Sequence, residues 1–120
     1  MEPILSPQLL ADWRAAGANA FVVKLVNQFV CDATACVEKI QVALDSKNAN
    51  DVLEAAHGLK GMAANMGLTQ LAKIAHQIET LGRHHNLLDG PPLFDSVQQE
   101  FARVQDGLQN VLNQEELHSN

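Results

Sequence analysis

Tyrosine is absent from this chain, and tryptophan occurs once and phenylalanine four times in 120 residues. So few aromatic rings offer no platform for stacking nucleic-acid bases. Positive charge is scarce as well: 8 Lys and Arg against 14 Asp and Glu give a formal net charge of -6. Phosphate backbones are neutralised by clustered Lys and Arg, so this balance excludes nucleic acid as a partner and argues against an anionic membrane surface. No apolar run approaches the ~20 residues needed to span a bilayer. The opening residues, Met1 to Ser6, lack the basic start and apolar stretch of a secretory signal, and a cytoplasmic location is expected. Only two cysteines occur, Cys31 and Cys36. On a helix they point about 140° apart, which suits neither a disulfide nor a shared metal ion. They are expected to be free, largely buried thiols, as a reducing compartment allows.

The apolar content of 47% is that of a globular protein, and the length suits one domain spanning residues 1–120. A core over residues 5–115 and a frayed tail over 116–120 are expected. A chain of this size buries roughly two-thirds of its surface and needs no metal or disulfide to fold. The hydrophobic pattern is helical almost throughout. Ser6-Pro7 supplies a capping hydroxyl before a proline, predicting a short helix over 7–15 that ends near Gly17. A long helix follows over 19–46, with Val22, Val26, Phe29, Ala33, Cys36, Ile40 and Leu44 recurring at steps of three and four. Asn50 is the expected cap of a helix over 51–65, which Gly67 closes. A helix over 69–84 buries Leu71, Ile74, Ala75, Ile78 and Leu81. Asp89-Gly90-Pro91-Pro92 interrupts the pattern, and a last helix is expected over 92–116, its seam formed by Phe94, Val97, Phe101, Val104, Leu108 and Val111. The expected fold is all-α, an antiparallel four-helix bundle with a short additional N-terminal helix. A bundle alone says nothing of function.

The informative element is the helix over 51–65. Advancing about 100° per residue from His57, the residues Val52, Ala55, Ala56, Leu59, Met62, Ala63 and Met66 fall within roughly 140° to 260°. That stripe faces the core, so His57 faces solvent. Its neighbours on the outer face are Leu53, Lys60, Gly61 and Ala64. Gly61 stands in a helix interior, where glycine costs about 1 kcal/mol relative to alanine. Leu53 and Ala64 are apolar where charge would be cheaper to expose. Missing side chains beside an exposed imidazole let another protein approach its ring nitrogen, and Leu53 and Ala64 supply an apolar contact for that surface. Lys60 offers a mobile positive charge to a group attached to the ring. Histidine, with an ordinary pKa of about 6.5, is a competent nucleophile near neutral pH. The face reads as a phosphoryl acceptor, although any one surface histidine is usually only solvated. His84-His85 at a helix end, His76 and His118 show no convergent carboxylates or thiols for a metal site.

The run Ala56-His57-Gly58-Leu59-Lys60-Gly61, followed by Ala63-Ala64-Asn65-Met66-Gly67-Leu68, resembles the signature of histidine-containing phosphotransfer (HPt) domains. Four positions carry it: His57, Lys60, Gly61 and Gly67. The likeness reaches outward to Leu71, Glu79 and Leu81, and upstream to Phe21, Leu25 and Phe29, covering roughly residues 5 to 115. The chain departs from many members at Gly58, where Thr or Ser is common, and at Met62, where a small hydroxyl residue is common.

The resemblance implies a phosphorelay carrier. Nε2 of His57 would accept a phosphoryl group from a receiver-domain phospho-aspartate and pass it to another receiver aspartate, with Lys60 stabilising charge. Gly58, Gly61, Leu53 and Ala64 would give the receiver access, and Glu54 with Leu53 and Ala64 would tune its specificity. No cofactor is intrinsic, the Mg²⁺ residing on the partner receiver. Partners would be response-regulator receiver domains and a hybrid sensor histidine kinase, met as a monomer. The chain has no P-loop or Gly-rich ATP loop, so no kinase activity of its own is expected. Two other readings stand beside this one: a docking-only module that binds receivers without phosphotransfer, and a bundle that binds a metal or cofactor through inward-facing ligands.

Overall fold

A computed structural model describes residues 4–117. Among them are four helices and no strand: α1 (Pro7–Asp45), α2 (Ala49–Asn65), α3 (Thr69–Arg83) and α4 (Gly90–Leu117). Short turns join them, so consecutive helices run antiparallel. α1 packs on α2 and α4, and α3 packs on the same two, which leaves α2 and α4 diagonal to each other. His118 and the end of the expected tail lie outside the described residues, whereas Glu116 and Leu117 are helical.

The expected N-terminal helix is not seen as a separate element. Pro7–Asp45 forms one element, interrupted by non-helical dihedrals at Gly17 and Ala18. Ser6 caps it as expected, its Oγ accepting from the Leu9 amide at 3.0 Å. Beyond the break, the segment before Gly17 is tied to the end of α4. Arg14 pairs with Glu115, a carboxylate buried to 1% exposure at the next step of the α4 seam, four residues after Val111. By length and composition α1 is a described helix able to cross a membrane. Its residues Val22, Val26, Phe29, Ala33 and Ile40 are instead enclosed in the bundle core.

The other helix boundaries move by a few residues, each for a local reason. α2 begins two residues early because Asn48, not Asn50, is its cap, its side chain accepting from the Asp51 amide at 3.1 Å. α4 begins at Gly90, so Pro91 and Pro92 lie inside its first turn, where a missing N–H costs no intrahelical bond. The α4 seam residues expected from the sequence are all buried. In the other helices Cys36, Leu44, Met62 and Leu81 are only half-buried. Cys31 is exposed, contrary to expectation, and both thiols are free.

Candidate functional site

α2 presents its outer face much as the wheel geometry requires. Val52, Ala55, Ala56, Leu59, Ala63 and Met66 are buried, and the His57 side chain, opposite them, is 69% exposed. Gly61 and Ala64 flank it in solvent. A Cβ at Gly61 would meet nothing within 4 Å, so the glycine leaves open space beside the imidazole. Lys60 is half-buried and leans toward α3.

Two residues of the expected access face are placed differently. Leu53 is half-buried at the α2–α3 seam rather than displayed, because its backbone lies against Gly82 of α3. A Cβ on Gly82 would stand 2.7 Å from the Leu53 amide nitrogen and 2.9 Å from the Ala49 carbonyl oxygen. That glycine therefore sets how closely the two helices approach. Gly58 is half-buried and faces α1, where an added Cβ would rest 3.5 Å from Cys36 Sγ.

The close α2–α3 approach brings Glu79 to His57. Glu79 is 1% exposed, yet its carboxylate is fully engaged. Oε2 lies 2.6 Å from Nδ1 of His57, and Oε1 accepts from Nζ of Lys60 at 2.6 Å. His76 adds its Nδ1 at 3.2 Å from Oε1, and an Arg83 guanidinium nitrogen stands 3.5 Å from Oε2. Burial pushes the Glu79 carboxyl up, but hydrogen bonds from Lys60, His57 and His76 outweigh it and hold the pKa at about 2. At neutral pH Glu79 is thus an acceptor only, so the proton between it and His57 belongs to Nδ1. Nε2 is left on the outer edge of the ring.

Glu79 is the member of this site that periodicity did not single out; only the family likeness touched it. On α3 it sits beside Ile78, at the margin of the apolar arc, where a carboxylate ordinarily reads as solvated rim. Its signal was the pair Glu79 and Gly82, a charge and a glycine about one turn apart in the last turn of α3. His84 and His85 are exposed and take no part in the cluster. Among the described residues no group of three or more His, Cys, Asp or Glu side chains could hold a metal ion.

The Hpt domain family model matches residues 24–114. This chain belongs to the Hpt domain family. Among solved structures it is similar to histidine-containing phosphotransfer protein B (HptB) from Pseudomonas aeruginosa PAO1, at 26% identity and a TM-score of 0.85. The alignment covers 95% of this chain and 98% of that one. Comparison with curated protein sequences gives no match. Hpt domains take part in histidine phosphotransfer in phosphorelays and interact there with receiver domains.

Proposed function

We propose that this Hpt domain accepts a phosphoryl group on Nε2 of His57 from a receiver phospho-aspartate and returns it to the aspartate of another receiver. The observation that carries this reading is the 2.6 Å contact between His57 Nδ1 and Glu79 in a side chain that is otherwise solvent-facing. With the Nδ1 proton committed to Glu79, the lone pair of a neutral ring lies on Nε2, where a docked donor can be reached.

In the transfer the Nε2–P bond forms as the acyl phosphate P–O bond breaks, and the aspartate leaves as a carboxylate. No proton has to depart. The ring acquires positive charge, which the Glu79 carboxylate is placed to stabilise, as an acidic partner stabilises an imidazolium in hydrolase triads. Phosphoryl transfer asks chiefly for positioning and charge neutralisation. Lys60 can swing its ammonium from Glu79 toward the phosphoryl oxygens, while the Mg²⁺ that the transfer needs resides on the receiver. Gly61 and Ala64 leave the approach to Nε2 unobstructed. The chain works as a cytoplasmic monomer in this reading, between receivers and a hybrid sensor kinase.

A receiver domain charged with acetyl phosphate and Mg²⁺ tests the proposal. Label should pass to the wild-type chain and not to His57→Gln. A docking-only module would bind the receiver and take no label.

A further inference from the structure

The two flanks of His57 carry opposite charge. At about 100° per residue, Gly61, Glu54, Gly58 and Asp51 fall within roughly 40° to 120° on the α1 side of the histidine. Lys60 falls about 60° away on the α3 side, joined there by His76 and Arg83 around Glu79. The α1 flank is a groove of about 550 Å³ between α1 and α2. Its floor is apolar, with Cys36, Val42, Ala43 and Ala55, and Val42 is 64% exposed. Its charged rim is Glu38, Asp51 and Glu54 against Lys39 alone. The groove runs up to the histidine, since Cys36 lies beneath Gly58, the residue after His57.

We infer that this groove is the specificity-determining part of the receiver interface, and that it takes an apolar ridge of the receiver flanked by Lys or Arg. The inference rests on the proposed receiver docking at His57. An exposed valine over an alanine floor gains from covering by an apolar ridge. An acidic rim selects a basic border on that ridge and repels an acidic one, which contributes discrimination and encounter rate more than affinity. The basic α3 flank draws the phosphoryl group toward Lys60. Charge of opposite sign on either side of one imidazole therefore fixes the direction in which the receiver lies across α2, not only its presence.

The test measures equilibrium binding of a panel of purified receiver domains to the wild-type chain at low salt and at 0.5 M NaCl. The same is done for Glu38→Gln/Glu54→Gln and for Asp95→Asn/Asp106→Asn, which removes equal charge from α4. Phosphoryl transfer from each receiver is followed in parallel, and circular dichroism checks the fold. The expected result is at least a tenfold weaker Kd for Glu38→Gln/Glu54→Gln at low salt, largely erased at high salt. The α4 variant should stay within twofold, and the tightest receivers should carry the most basic surface beside their phosphorylated aspartate. Equal weakening by both variants, a loss unaffected by salt, no receiver binding, or self-association through the groove overturns the inference. If receivers bind in this charge-dependent way yet leave no label on His57, phosphotransfer fails and the docking inference stands.

Discussion

Nδ1 of His57, on the outer face of α2, lies 2.6 Å from the carboxylate of Glu79, a residue of α3 that is 1% exposed. A mobile surface imidazole is thereby pinned by a rigid buried charge. The pinning faces one ring nitrogen inward and presents the other.

Removing the acceptor should remove the activity and nothing else. His57→Gln is expected to take no phosphoryl label while keeping wild-type helical content, because the side chain is 69% exposed. Radiolabel transfer and circular dichroism check both halves. A collapse of the helical signal would place His57 in the core, against the geometry.

Substitutions at Glu79 should separate orientation from charge. Glu79→Gln keeps an acceptor oxygen for Nδ1–H, whereas Glu79→Ala keeps none. Transfer rates are expected in the order wild type, Gln, Ala. Equal rates for the two variants would show that only the negative charge matters.

The same carboxylate gives a pH signature. Its folded pKa, about 2, lies below the ordinary value of 4.5. A depressed carboxyl pKa stabilises the fold above the unfolded value, and that stabilisation fades as pH falls from about 4.5 toward about 2. Its partners are substantially exposed, so solvent screening limits the contribution to on the order of 1 kcal/mol. Urea denaturation of wild type and Glu79→Gln should show a stability gap that narrows as pH falls from about 4.5 toward about 2. A gap that widens in acid contradicts the assignment.

Two glycines should respond in opposite ways. Gly61→Gln meets open space in a helix interior, so stability should rise by roughly 0.5–1 kcal/mol while receiver binding weakens through bulk beside His57. Gly82→Ala forces a methyl against the backbone of α2 and should cost about 1–3 kcal/mol, read as a lower Tm. Undiminished receiver binding by Gly61→Gln would remove the close-approach role of that glycine.

The bundle was legible because its signals are local. Steps of three and four placed Val97, Phe101, Val104 and Leu108 in the core, and the wheel around His57 turned that residue outward, as found. Caps and boundaries were less legible, since Asn48 and Asn50 are chemically equivalent candidates two residues apart, and only the turn geometry chooses Asn48. The break at Gly17 was visible, and non-helical dihedrals at Gly17 and Ala18 interrupt α1 there. The partners of Glu79 and Glu115 lie beyond the reach of periodicity, although Glu115 itself continues the α4 seam four residues after Val111. Each carboxylate is met by a partner on another helix, His57 and Lys60 for one and Arg14 for the other, and the register between helices is not written in the spacing within either. Leu53 reads as exposed for the same reason: the closeness set by Gly82 on α3 is what half-buries it.

The most direct test of the account is nitrogen-15 NMR of the histidine-labelled chain, before and after phosphorylation by a charged receiver. Before transfer, the account predicts a His57 ring protonated on Nδ1. After transfer, it predicts phosphorus coupling to Nε2 of His57 alone. Coupling to Nδ1 of His57, to His76, His84 or His85, or to no histidine while the receiver still loses its phosphoryl group, would contradict it.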